Sequence, residues 1–267
     1  MNGCRILNIL KKAKGWIPKC NESLAVLQSC SPAVLQSGIR VKIMYRKFFK
    51  RFFDIVLSVV AILVLSPLLV PVIIILLLTG EHYVFYGQKR VGYKNRQFQI
   101  WKFATMLKAS PSLGTGSLTV KNDPRVFPFG RFLRKTKLNE LPQIFNILLG
   151  DMSIVGPRPQ MEVDFLKFPD HVQAVIYDAV PGMTGIGSII FRDEEKWISA
   201  HEGDKHEYYR SHIAPYKGEL ELWYHEHISF RTDFMLVFLT AWVIVFPKSG
   251  LVNKIFKSLP ARPNYLD

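Results

Sequence analysis

Apolar positions are unevenly spread along this chain. From Ile55 to Gly80 it reads IVLSVVAILVLSPLLVPVIIILLLTG, 26 positions without a charge. About 20 apolar residues are enough for a helix to cross a bilayer, so one long apolar helix is predicted here. A cleaved leader does not fit: the run begins late, is too long, and has no small-residue cleavage site after it. Ser66-Pro67 falls near its middle and Pro71 one turn later. Proline removes an N–H and crowds the preceding turn, which predicts a kink. Ser66 can bond the carbonyl that the proline frees. A second apolar patch, FMLVFLTAWVIVF from Phe234 to Phe246, has 13 residues, too few to cross. It reads equally as a helix lying in the membrane interface, with Trp242 and Phe246 beside Lys248, or as a buried core helix. The tail LVNKIFKSLPARPN mixes apolar and basic residues and suits contact with lipid.

Residues 82 to about 230 have a different texture. Asp123-Pro124, Phe127-Pro128, Gly156-Pro157-Arg158-Pro159 and Pro181-Gly182 cut this stretch into short elements. Two short strands are expected, Tyr83–Tyr86 and Phe98–Trp101, around a basic turn. Leu141–Leu149 reads as a short helix, and Glu219–His227 and Phe234–Phe246 as later ones. The mixture is α+β with helices dominant. Four segments follow: a peripheral extension, 1–40; a membrane helix broken at Ser66-Pro67, 41–81; a cytosolic catalytic domain, 82–230; and an interfacial apolar helix with a basic tail, 231–267. AVLQS occurs twice, at Ala25–Ser29 and Ala33–Ser37, too short to be a structural repeat.

Composition narrows the picture. The 267 residues include 35 Lys or Arg against 21 Asp or Glu, a net charge of +14. With 49% hydrophobic residues the chain has enough apolar material for a core, which excludes disorder throughout. Cys4, Cys20 and Cys30 all lie in the first thirty residues, which excludes a disulfide framework and fits a reducing compartment. The charge also bears on the long helix. Arg40, Lys42, Arg46, Lys47, Lys50 and Arg51 precede it; Lys89, Arg90, Lys94, Arg96, Lys102 and Lys108 follow. Cationic flanks stay in the cytoplasm. Two such flanks predict a re-entrant helix that leaves by the face it entered, on the cytoplasmic side, with a straight span as the alternative.

The densest chemistry lies in Gly130–Pro159, GRFLRKTKLNELPQIFNILLGDMSIVGPRP. Arg131, Arg134, Lys135 and Lys137 crowd ahead of a helix start, where Asn139 suits the N-cap, Glu140 the first turn and Pro142 the early positions. A capped helix alone accounts for that much. Gly156-Pro157-Arg158-Pro159 and Asp123-Pro124-Arg125 add two stiff turns, each presenting a cation. So many fixed cations suit phosphate oxygens. A carboxylate among them is a salt-bridge partner or a ligand for Mg²⁺, which takes carboxylates together with phosphate oxygens. Nucleic acid is the competing partner for a basic surface, but no nucleic-acid module is recognisable and the apolar run argues against it.

The order KRFFDIVLSVVAILVLSP, GQKRVG, KFATM, NDPRVFPFGRFLRKTKLNELPQIFNILLGDMSIVGPRP, VPGMTG and HISFRTDFMLVFLT resembles the bacterial sugar transferase family, the monotopic phosphoglycosyl transferases, over roughly residues 45–245. The resemblance implies transfer of a sugar-1-phosphate from a nucleoside diphosphate sugar, usually a UDP-sugar, to polyprenyl phosphate, with Mg²⁺ required. It implies a Ser-Pro break, matched by Ser66-Pro67, and an adjacent Asp-Glu pair whose Asp attacks phosphorus and whose Glu helps hold Mg²⁺. It makes Glu140 and Asn139 the catalytic pair, and Lys102, Arg134 and Arg158 the cations for the diphosphate. Arg125 joins them through its rigid turn. Asp151 is a metal ligand beside Glu140, or a helix-end cap.

Two positions depart from the family pattern. Asn139 stands where the pair has Asp, and a neutral amide cannot serve as a carboxylate nucleophile. FRDEE at Phe191–Glu195 and PYKGELELWY at Pro215–Tyr224 resemble a subgroup with Asn-Glu at this site. Three options follow: Glu140 is the nucleophile; the lipid phosphate attacks directly while Glu140 holds Mg²⁺; or the protein is inactive. Ala104 in KFATM stands where the family more often has Arg. Asp193, Glu194 and Glu195 read as sugar or metal contacts, or as a solvated acidic face. His225 and His227 read as surface or interface histidines. The rival to an enzyme is a non-catalytic membrane scaffold of a glycan-assembly complex.

Overall fold

A computed structural model describes residues 44–108, 124–247 and 249–264. The readings on residues 1–40 and on Asp123 lie outside these. Tyr45–Asp267 form one compact unit. A π-helical turn, Tyr45–Phe49, leads into helix α1, Lys50–Leu78, of 29 residues with Pro67 and Pro71 inside it. The expected break at Ser66-Pro67 is therefore absent from the helical backbone. Pro67 cannot donate to the Leu63 carbonyl, one turn back. The Ser66 hydroxyl donates to it instead at 2.8 Å, so the lost bond is replaced and the helix runs on.

Both ends of α1 rest on the same body. Near its start, the Arg51 guanidinium donates to the Ile147 and Leu148 carbonyls, at 2.5 and 2.7 Å. Asp54 accepts from the Ser153 hydroxyl and the Ile154 N–H. Near its end, Leu69, Val72 and Leu76 pack on Phe103 and Leu133. Between them Val59, Val60, Leu63 and Val64 are exposed. A soluble protein does not leave so apolar a cylinder uncovered, and this exposure marks a membrane-associated chain.

Strands β1 (Phe85–Val91) and β2 (Gln97–Phe103) form an antiparallel ribbon, longer than expected because its turn at Lys94 and Asn95 is left-handed and tight. Helix α2, Pro128–Lys135, begins on its proline. A 3₁₀ turn, Leu138–Glu140, connects it to α3, Gln143–Leu149, which stops at Gly150. Strand β3 (Ser153–Val155) pairs in parallel with β4 (Gly182–Thr184). Helices α4 (Ile186–Ile190), α5 (Ala214–His227) and α6 (Phe230–Val245) complete the core, where Ile186, Ile213, Leu220, Leu236 and Leu239 are fully enclosed.

Helix α6 begins before Phe234 because Ser229 caps it, accepting from the Thr232 N–H at 3.2 Å. It serves as core helix and surface helix together. Leu236 and Leu239 are buried, whereas Phe234, Phe238 and Ile244 lie bare on the other side. Phe52, Phe53, Phe230 and Phe234 continue this bare surface as an aromatic chain from the start of α1. Contacts cross the expected boundaries at 81 and 231, since Leu76 meets the β2 residue Phe103 and Asp233 binds Lys50.

Candidate active site

The site is assembled from five short segments around Glu140. In the β1–β2 register Tyr86 faces Lys102 and Arg90 faces Phe98, so Lys102 and Arg90 share one side of the ribbon. That side is turned inward, while Lys89 and Gln99 face out. Opposite the ribbon, Lys137 adopts a left-handed conformation (φ 61°) and turns the chain into Leu138–Glu140. Such a conformation is uncommon outside glycine and is held only where the surroundings require it.

The turn carrying Arg158 is built by glycines. A Cβ on Gly156 would lie 2.4 Å from the Val180 carbonyl oxygen, and one on Gly182 would lie 2.0 Å from the Gly156 nitrogen. Main-chain bonds from Gly156 to Thr184 and from Gly182 to Pro157 lock the two segments together. GPRP and VPGMTG are thus halves of one support. Tyr177 closes it from below: its hydroxyl donates to the Arg158 carbonyl and accepts from the Gln160 N–H, each at 2.9 Å.

Glu140 lies 3.7 Å from the Arg158 guanidinium and 4.0 Å from Lys102 Nζ. Burial pushes its carboxyl up, but Arg158, Lys102, Lys137 and Arg90 outweigh that and hold it below the usual range. The cations are affected in turn. Burial, opposed by Glu140 but reinforced by Arg90, Arg158 and Arg134, brings Lys102 down to about 8. Burial and then Arg158 bring Arg90 down to about 10. One carboxylate thus stands among more positive charge than it neutralises, an arrangement suited to a further anion.

The residues expected from sequence are placed as follows. Lys102 and Arg158 meet Glu140 directly. Arg134 donates to the Thr105 hydroxyl at 2.8 Å and lies on the Lys102 side of the cluster. Gly130 lets α2 approach there, since a Cβ would lie 2.4 Å from the Thr105 carbonyl oxygen. Arg125 is buried next to the Met106–Val126 bridge and is not among the cations that chiefly hold Glu140 down.

Asn139 is not an N-cap. Its side chain bonds no helical N–H, the residue before α3 is Pro142, and the buried Asn139 Oδ1 has no partner. A 3₁₀ turn has placed it inside rather than at a helix end. Asp151 is exposed, beyond the far end of α3 from Glu140, within 3.5 Å of Asn146 Nδ2. The seven residues of α3 put about 10 Å of helix between them. Asp151 thus lies past the end of α3 opposite to Glu140. Among the described residues no three His, Cys, Asp or Glu side chains are gathered to hold a metal.

Ala104 is buried, with its N–H on the Val84 carbonyl. Asp193 pairs with Arg192 and Lys196 on the surface. Glu194 holds the buried Lys217 at 2.6 Å. His225 contacts Arg46, and His227 stacks on Trp223. From sequence Arg90 and Lys137 counted only as members of basic stretches, with no role at the site, and Tyr177 was not singled out. Strand alternation through GQKR, with Gln88 and Arg90 on one side, carried the available signal for Arg90.

The comparisons with known proteins point to one family. The family model for bacterial sugar transferases matches residues 45–247. The chain is 30% identical over 256 residues to the undecaprenyl-phosphate galactose phosphotransferase of Salmonella typhimurium, covering 91% of this chain and 50% of that protein. It is 32% identical to the UDP-glucose:undecaprenyl-phosphate glucose-1-phosphate transferase of Klebsiella pneumoniae, over 77% of this chain and 41% of the relative. It is 34% identical to the exopolysaccharide production protein ExoY of Sinorhizobium fredii, over 59% of this chain and 75% of that one. The chain spans about half the length of the first of these relatives. With the family model matched over residues 45–247 and the Lys102 and Arg158 motifs meeting at Glu140, the chain belongs to the bacterial sugar transferase family.

Proposed function

We propose that this chain moves a sugar-1-phosphate from a nucleoside diphosphate sugar, a UDP-sugar, to polyprenyl phosphate at the cytoplasmic face of a bacterial membrane. The observation that carries the reading is Glu140 inside a ring of Lys102, Arg158, Lys137 and Arg90, each brought there by a separate segment. Phosphoryl transfer depends mainly on positioning and on stabilising charge. The cations bind the diphosphate and take up the charge that builds on the leaving nucleotide. Relatives bearing the names of undecaprenyl-phosphate galactose and glucose transferases support the same reaction here.

Mg²⁺ fits this site in one way. Glu140 offers a single carboxylate, and this ion accepts one or two carboxylates plus phosphate oxygens. When bound, it would supply Lewis-acid stabilisation of the phosphates. The test is nucleotide release from a panel of UDP-sugars with polyprenyl phosphate, with and without EDTA. No release from any sugar by folded protein would favour the scaffold reading.

The membrane part of the proposal is that α1 is re-entrant. Its two ends rest on one body, its flanks are both basic, and Pro67 with Pro71 weakens its middle. Cysteines placed at Lys47 and His82 should both react with an impermeant thiol reagent added from the cytoplasmic side. Labelling of the two from opposite sides would establish a span.

Lys102 makes the site sensitive to alkali. Its ammonium, lowered to about 8, is charged below that pH and neutral above it. UDP affinity should therefore fall as pH rises through about 8. In Lys102→Arg the guanidinium stays charged and the fall should be much smaller; calorimetric titration across pH 6.5–9.5 reads this directly.

A further inference from the structure

Helix α3 begins three residues after Glu140 and packs along β2, the strand that carries Lys102. Between them stands Asn146, which is 0% exposed. Both ends of its carboxamide are engaged by the strand. The Trp101 N–H donates to Asn146 Oδ1 at 2.9 Å, and Asn146 Nδ2 donates to the Gln99 carbonyl at 2.8 Å. These partners fix which end is oxygen, since a flipped amide would set N–H against N–H and oxygen against oxygen. Nδ2 also lies 3.5 Å from Asp151 Oδ2.

The two strand groups belong to one edge. Successive residues of a strand turn their N–H and C=O to opposite edges. The Ala104 N–H bonds the Val84 carbonyl, so the even-numbered residues of this stretch face the β1 side. Gln99 and Trp101 therefore face the other edge, where the two-stranded sheet ends. A carboxamide holds the donor and acceptor of a peptide group in one plane, so Asn146 closes that edge as a further strand would. It does so one residue before Lys102. From Leu138 to Leu149 the chain runs as one rod of helical turns, which places Asn146 about 9 Å along the axis from Glu140. Arg51 of α1 holds the far end of the rod through the Ile147 and Leu148 carbonyls. We propose that Asn146 is a positioning residue for Lys102: by bonding the open edge of β2 from the helix that continues from Glu140, it sets the separation, 4.0 Å, at which Lys102 and Glu140 face each other. The consequence for diphosphate binding rests on the proposed transferase reading. The asparagine of QIFNILLG thereby gains a role that the sequence alone did not assign.

Lys102 itself is the reporter. Its ammonium is influenced by Glu140, Arg90, Arg158 and Arg134, and burial brings its titration down to about 8. Acetylation of Lys102 in the full-length protein, followed by peptide mass spectrometry across pH 6.5–10.5, reads that midpoint with no substrate present. Asn146→Leu has nearly the same shape and no polar group. In this variant the strand edge is released, Lys102 gains water, and its midpoint should rise toward the ordinary lysine value. UDP affinity at pH 7 should fall about tenfold, the size expected when a guiding hydrogen bond is lost. In a Lys102→Ala background Asn146→Leu should leave UDP affinity unchanged. Asn146→Ala, which leaves room for water on the strand groups, should show the same changes and serves if Asn146→Leu fails to fold. An unmoved Lys102 midpoint in either folded variant, or an equal loss of affinity in the Lys102→Ala background, overturns the proposal. Wild-type protein that releases no nucleotide would instead defeat the transferase reading, and the Lys102 midpoint would still decide the role of Asn146.

Discussion

Glu140→Gln should lower nucleotide release by a factor on the order of 10³ or more, with the fold retained. The side chain keeps its shape and loses its charge. Its ion pairs to Arg158 and Lys102 are long, 3.7 and 4.0 Å, so little stability rests on them. In the variant Arg158, Lys102, Lys137 and Arg90 face one another with no anion between them. UDP binding should hold or tighten even as turnover collapses, and that separation distinguishes a reacting group from a binding one. A scaffold would tolerate the change.

The wild-type protein resolves how Glu140 acts. Incubation with labelled UDP-sugar and no lipid should yield a phosphosugar adduct mapped to Glu140 if the carboxylate attacks phosphorus. Active enzyme without an adduct implies direct attack by the lipid phosphate. Asn139→Asp bears on the same choice. Asn139 is buried with Oδ1 unpartnered, so an ionised Asp there gains no direct bond at that atom. A rise in rate would mean that the Asn-Glu pair is a weakened form of Asp-Glu.

The largest effect on stability should come from Asp233→Ala. Asp233 on α6 pairs with Lys50 at 2.5 Å, the two side chains being only 10% and 13% exposed. Tyr45 and Tyr224 donate to its two oxygens, each at 2.8 Å. Removing the acid strands a buried ammonium and two phenols at once. Breaking such a pair from one side costs about 3–5 kcal/mol. A fall in melting temperature of about 10 °C should follow at this size. Asp233→Asn keeps an acceptor for the tyrosines and should fall between. Because Lys50 opens α1, the loss should loosen the apolar helix from the domain, which increased proteolysis between Lys47 and Asp54 would report. An unchanged melting temperature would mean that the cluster adds nothing net.

Much of this was legible in the residues. The charge-free run had to become one long apolar helix, because no charged side chain interrupts its 26 positions. The Gly-Pro punctuation had to yield short elements, and Glu140, Lys102 and Arg158 could be named because their motifs are uncommon and occur in order. The same local reasoning failed where a contact distant in sequence decides. Asn139 looks like a cap, yet the left-handed Lys137 turns it inward. Ser66-Pro67 looks like a break, yet one hydroxyl bond carries the helix through. Asp151 is near Glu140 in sequence but at the other end of α3 in space.

By itself the sequence determined the apolar helix, the basic surroundings of a lone carboxylate and the family, all of which depend on residue type and order. The tertiary structure decided which cations reach that carboxylate. Arg90 joins through strand register, Lys137 through a strained turn, and Arg158 through glycines that let two segments hydrogen-bond main chain to main chain at 2.8 and 2.9 Å. Charge acts through distance and burial, and neither exists until segments some seventy residues apart have packed together.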